Sequence, residues 1–209
     1  MAIIKYLQKY PWAKEIIKLH FDKNVAVVAP YHNFNHTMVV TENVIHAAHY
    51  YDKPEQDLVC AALWHDFNHT QGRQVDKINV QYAKDEFLIW WKSTKNKYVE
   101  INPINVLKII DATQYNGMEQ GYEIPAADLT LEQKIIRDAD LLQYLEKNRI
   151  SQVYLGLSFE MNVSLIELLQ NAPKFINSII PNTDWMKRQW EDGKQEILEE
   201  FKILIDTLK

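Results

Sequence analysis

Apolar residues recur along most of this chain at every third or fourth position, the spacing that lays a stripe along one face of a helix. Strand-like alternation between glycine-rich turns is almost absent, and only 5 glycines occur in 209 residues. A short first helix is expected to end before Pro11, and a second over about 12–21 carries Ile16, Ile17 and Leu19 on its apolar side. Residues 25–35 read as a loop, because Pro30, Asn33 and Asn35 resist regular structure. A long helix follows over about 36–51, with Val40, Val44 and Ala47 on one stripe. Pro54 suits the first position of the next helix, where its missing N–H costs nothing, and that helix reaches His65 and Asp66. A polar loop at 69–75, a helix at 76–91, a polar stretch at 93–102 and a helix at 103–113 come next. After a loop at 116–125, Thr130 with Gln133 forms a capping-box pattern that opens a helix to about 147. Further helices are expected at 151–170, 173–180 and 184–208. The pattern predicts an all-α fold in one domain over 1–209, with no repeat and no linker.

Composition narrows the classes. At this length a chain buries enough apolar surface to fold without disulfide or metal staples. Cys60 is the single cysteine, so no internal bridge is available and a reducing compartment, the cytoplasm, is the expected location. No apolar run approaches the roughly 20 residues that a membrane-spanning helix needs. A formal charge of −5, with both signs interspersed, argues against a basic surface for nucleic-acid polymers.

All 7 histidines fall in the first third of the chain, and four of them lie in two polar clusters, YHNFNH at 31–36 and HDFNH at 65–69. His36 opens one expected helix, and His65 with Asp66 closes the next. Two antiparallel helices joined by a short loop place the start of one beside the end of the other, so these three residues are expected to meet. Taken singly, a histidine on an apolar face is usually a packed core residue, and an aspartate at a helix end is usually a cap. Jointly, two imidazoles and a carboxylate offer mixed N/O chemistry suited to zinc, manganese or iron. A fourth ligand is sought in the apolar segment 135–145, where desolvation disfavours unpaired carboxylates. Asp140, set among Ile136, Ala139, Leu141 and Tyr144, reads as the more core-like of two candidates; Asp138 beside Arg137 reads equally well as a solvated or ion-paired element. His20, His46 and His49 have no partner pattern and read as structural.

The order His36, His65-Asp66, Asp140 resembles the HD superfamily of metal-dependent phosphohydrolases over about residues 29–146. Tyr31-His32-Asn33-x-x-His36 is similar to the YHNxxH motif of cyclic-nucleotide phosphodiesterases and of small bacterial HD hydrolases. His65-Asp66-x-x-His69 resembles their HDxxH element, and Asp138-Ala139-Asp140-Leu141 resembles the run that carries the last metal-binding aspartate. The resemblance implies an all-α HD-type domain with a first metal on His36, His65, Asp66 and Asp140. It implies a divalent transition ion (Mn, Fe, Zn, Co or Ni), and a second, weaker ion such as Mg bridged by Asp66. It further implies that His32 donates a proton to the leaving oxygen and that His69 lies by the second ion's water shell. No histidine follows His69, which argues against a histidine-rich dinuclear centre. The ED pair of guanosine-tetraphosphate hydrolases is also missing, so that substrate loses support.

Phosphoester hydrolysis needs a nucleophile, charge neutralisation and a proton for the departing oxygen. Asp66 or Asp140 can orient a water activated by the ion, and imidazole, which titrates near neutrality, is suited to donate the proton from His32. Donors for the remaining phosphate charge are sought in Arg73, Lys77 and Asn79 after the HD helix, and in Gln114 and Tyr115 at a helix end. Trp64, Trp90 and Trp91 could stack on a base, although at helical positions such aromatics more often belong to the core. The expected partner is a small phosphoester, a nucleotide or phosphodiester. An iron oxygenase on the same scaffold and a non-catalytic metal- or nucleotide-binding module are the competing readings. The last 60 or so residues carry no motif and read as helices packing on the core.

Overall fold

The computed structural model describes residues 2–94, 97–117 and 120–208, apart from the side chains of Ala2 and Ser151. Ten α-helices occur among them: α1 Ala2–Leu7, α2 Pro11–Lys23, α3 Phe34–Tyr50, α4 Gln56–Trp64, α5 Asp76–Ser93, α6 Pro103–Asp111, α7 Leu131–Leu142, α8 Gly156–Met161, α9 Leu165–Ser178 and α10 Asp184–Leu208. No strand occurs among the described residues; Tyr115 and Tyr122 form an isolated antiparallel bridge. The all-α expectation holds. No described helix is long and apolar enough to cross a membrane.

The centre is α3, which packs on both α4 and α7, while α6 covers α4 and α10 covers α9. The residues Leu58 to Trp64 are all buried on α4, and the core formed around them extends from Leu7 to Phe201. A helix buried on every side explains why α4 lacks a polar stripe.

Helix ends set the geometry that matters. Asn33 caps α3, its carboxamide oxygen accepting from Asn35 N at 2.9 Å and His36 N at 3.1 Å. Helix α3 therefore begins at Phe34, two residues before the expected start. At the far end of α4, Asn68 takes a left-handed conformation (φ 63°) that turns the chain away. Asn24 and Asn68 are reciprocally bonded. Asn24 Oδ1 accepts from Asn68 N at 2.9 Å, and Asn68 Oδ1 accepts from Val25 N at 3.0 Å. His20 completes this knot, with Nε2 2.6 Å from Leu63 O and Nδ1 2.8 Å from the Asn24 amide. The loop before α3 is thus tied to the end of α4.

Several expected boundaries are corrected. Pro54 lies outside α4, because Glu55 takes the cap position with its carboxylate held by Tyr6, Lys9 and Tyr10. Helix α7 keeps its capping box on Thr130 and Gln133 but stops at Leu142 rather than near 147, where Gln143 folds back toward His36. The helix expected at 151–170 is broken at Asn162 (φ 54°), and Ser164 then caps α9. Pro173, expected to open a helix, sits inside α9, where burial of Leu169, Ala172 and Ile176 outweighs a proline penalty of about 3 kcal/mol.

Candidate metal centre

The capped start of α3 delivers His36, the end of α4 delivers His65 and Asp66, and the last turn of α7 delivers Asp140. Their polar atoms converge. His36 Nε2 lies 3.1 Å from His65 Nε2, 2.9 Å from Asp66 Oδ2 and 3.3 Å from Asp140 Oδ1. His65 Nε2 lies 3.1 Å from Asp66 Oδ2 and 4.0 Å from Asp140 Oδ1. The two imidazoles are buried, whereas Asp66 and Asp140 keep part of their surface toward an adjoining cavity.

Both rings are held from behind. His65 Nδ1 donates to Ala62 O at 2.7 Å, so the neutral ring keeps its lone pair on Nε2, facing the cluster. The Gln143 amide lies 2.5 Å from His36 Nδ1. Burial works to deprotonate His36, but Asp140 and Asp66 outweigh it and push its pKa up to about 10. His65 is raised as well, against its burial, chiefly by Asp66. The Asp66 carboxyl resists the upward pull of burial and is held well below the usual range by His65, His32 and His36. A cluster that grips protons so firmly is one that attracts positive charge. His36, His65 and Asp66 bring their ligand atoms within 4.8 Å of one another, with Asp140 Oδ1 at the edge of the group, and this mixed N/O set fits a divalent transition ion.

A second constellation lies beside the first. His32 Nδ1 is 2.5 Å from Glu160 Oε2, while Glu160 Oε1 accepts from Tyr31 N at 2.7 Å and His32 N at 2.9 Å. These contacts with His32 and the two backbone N–H groups keep Glu160 ionised despite burial. His32 stacks on His69, with ring centroids 3.7 Å apart. The three side chains His32, His69 and Glu160 lie close enough to hold an ion of their own. Both ring nitrogens of His69 are nonetheless engaged: Gln71 N donates to Nδ1 at 3.1 Å, and the Asn79 amide is 2.9 Å from Nε2. Burial, reinforced by His32, pushes His69 down to about 4.

Glu160 was not among the residues singled out from the sequence. It belongs to α8, 128 positions from His32, and nothing local distinguishes it. Two glycines bring it in. A Cβ on Gly156 would meet Pro30 O at 2.6 Å, and one on Gly72 (φ 75°) would meet Glu160 O at 2.5 Å. Helix α8 therefore lies against both loops, closer than any side chain at those positions would permit.

Comparison with family models, curated proteins and solved structures gives no match to this chain.

The adjoining cavity has a volume of about 900 Å³, at the upper end of ordinary small-molecule sites. His32, Asp66, His69 and Asp140 line it, as do Asn79 and Tyr115. Arg73, Lys77 and Gln114, expected as phosphate donors, are not among its lining residues: Arg73 and Lys77 project into solvent, and Gln114 reaches Asn116 and Glu123. The Asn79 amide is spent on Thr70 and His69. Trp64 and Trp90 are core residues, while His46 and His49 are exposed away from the cluster and His20 is the buried structural ring described above.

The two α7 aspartates are buried in the opposite order to that expected. Asp138, not Asp140, is the fully buried one. Its oxygens accept from Asn182 N (2.9 Å), Asn182 Nδ2 (2.8 Å), Thr183 N (2.8 Å) and Thr183 Oγ1 (2.7 Å), fixing the entry to α10. The neighbouring Arg137 is buried and donates to Ala112 O and Ile124 O, so it forms no simple ion pair with Asp138.

Proposed function

We propose that this protein is a metal-dependent phosphohydrolase of the HD type, cleaving a small phosphoester by attack of water. The observation that carries the reading is the meeting of His36, His65, Asp66 and Asp140 from three separate stretches of chain beside a ligand-sized cavity. These four side chains would hold the ion. A divalent cation bound there supplies Lewis acidity toward a phosphoryl oxygen and a water of lowered pKa.

The chain's own residues supply the rest. Asp66 and Asp140 present carboxylate oxygens to the cavity and can accept a hydrogen bond from the attacking water, orienting its lone pair toward phosphorus. His32 faces the same cavity. With Nδ1–H directed at Glu160, its Nε2 is left to carry a proton to the leaving alcohol oxygen, which departs as the neutral alcohol. Glu160 is a positioning residue: it touches His32 and the backbone, and fixes the tautomer and direction of the ring. With both nitrogens engaged and little tendency to protonate, His69 serves as the flat surface on which His32 stacks rather than as a second acid. The same engagement disfavours a second ion on His32, His69 and Glu160.

Metal analysis of the purified protein, followed by phosphate release from nucleotides and bis-p-nitrophenyl phosphate, tests the proposal. The expected result is a bound transition ion and chelator-sensitive turnover. Bound metal with oxygen uptake and no phosphate release would instead support the oxygenase reading, and bound metal with no turnover at all the non-catalytic one.

A further inference from the structure

The chemistry of the cavity walls bears on what is cleaved. Five carboxylates line it, from Asp66, Asp76, Asp140, Glu160 and Glu167, and no lysine does so among the described residues. Among the described residues its one arginine or lysine is Arg137, with Nε and Nη2 committed to Ala112 O and Ile124 O and the guanidinium 4.1 Å from the centre of the Tyr122 ring, while the His32 imidazole is paired with Glu160. Nothing in such a wall balances the charge of a nucleoside di- or triphosphate. One ion on the quartet can offset one phosphoryl group.

Away from the quartet the lining turns apolar. Tyr144, Leu157, Leu168, Ala172, Phe175 and Ile179 form this stretch. It is continuous with the cluster through a run of tilted and edge-on rings, Tyr31 lying 4.9 Å from His36 and 6.1 Å from Tyr144, and Tyr144 lying 5.1 Å from Phe175. Tyr154, 2% exposed, also lines it and carries a hydroxyl with no hydrogen-bond partner among the described residues. Met161 and Ile180 line the cavity yet remain 56% and 83% exposed. Water-exposed apolar side chains around a cavity that is itself apolar gain by being covered with a ligand's hydrocarbon.

We infer that the site takes a phosphoester with a single phosphoryl group on an extended, largely apolar organic body, rather than a nucleoside polyphosphate. The inference rests on the phosphohydrolase reading for its phosphoryl group, and on the α8–α9 wall for its apolar part. The phosphate would sit against the quartet, with the ester oxygen toward His32 and the hydrocarbon running along Tyr144 and Phe175.

Calorimetry with methyl-, butyl- and octylphosphonate, with and without Mn²⁺, separates the two claims, since a phosphonate binds without turnover. The dependence on Mn²⁺ reads the quartet; the dependence on chain length reads the apolar wall. Affinity is expected to rise about fourfold per methylene until the stretch is filled, with ATP no tighter than methylphosphonate. Leu168→Trp, which fills half-buried space in the wall, and Phe175→Ala, which removes an aromatic ring from it, should each flatten the chain-length series by at least about tenfold at octyl. A flat series in the wild-type protein, or ATP binding tightest, overturns the inference even if phosphate release is found. A steep series without phosphate release from octyl or phenyl phosphate upholds the apolar site and removes the phosphohydrolase reading.

Discussion

Two aspartates stand two residues apart on α7, and the helix sends them to opposite fates. Asp138 is wholly buried with four donors on its oxygens, so its charge is spent inside the protein. Asp140 is partly open to the cavity, and its carboxylate meets two imidazoles that already crowd Asp66. Burial alone therefore does not mark a candidate ligand. What marks it is an environment that leaves the charge incompletely answered by the fold.

The largest effect expected to sharpen this contrast is at Asp140. Asp140→Ala should bring metal content to background and phosphate release with it, while the far-ultraviolet dichroism stays helical; full metal occupancy in that variant would remove Asp140 from the centre. Next comes His32→Ala, which should retain the metal and lower turnover by about 10²–10⁴. Metal loss there would mean that His32 is a ligand and not the acid. Asp138→Ala should do the converse of Asp140→Ala, costing about 4 kcal/mol in urea unfolding by leaving four donors without their charged acceptor, with metal retained.

A smaller effect concerns pH. Burial, partly offset by the Leu63 carbonyl, lowers His20 from 6.5 to about 4. The unfolded chain takes up this proton first as pH falls, so stability declines between about 6.5 and 4 and the loss is complete below that. The shift corresponds to about 3 kcal/mol. Unfolding of the wild type and of His20→Gln should diverge by that amount across this window; parallel profiles would show that the ring titrates normally in the fold. The smallest expected effect is at Glu160→Gln. Turnover should drop by about tenfold with metal retained, and the alkaline limb of the rate profile should move, because the proton-donating ring loses its charged anchor. An unchanged pH profile would reduce Glu160 to a backbone tie.

Much of this was legible in the amino-acid order because it depends on helix ends. His36 follows the cap at Asn33, His65 and Asp66 end an apolar helix, and short connections force those ends together. Asp140 was reached for a mistaken reason, since its neighbours suggested burial that belongs to Asp138. Glu160 was illegible: its partner is a histidine far along the chain, and the break at Asn162 and the capped start at Ser164 were hidden inside what read as one long helix. Of the expected phosphate donors, Asn79 and Tyr115 line the cavity while Arg73, Lys77 and Gln114 do not. A basic residue near a site in sequence, such as Arg73 or Lys77, is free to follow solvent, and here both do.

Helix α8 rests on loops at two places where only a hydrogen atom fits, one at Gly72 and one at Gly156. A single added methyl at either would lift the helix and swing Glu160 off its imidazole. The direction of the His32 ring, and with it the proton delivery proposed for it, is thus hostage to two residues that have no reactive group. Variation there would retune the protein from outside its chemistry.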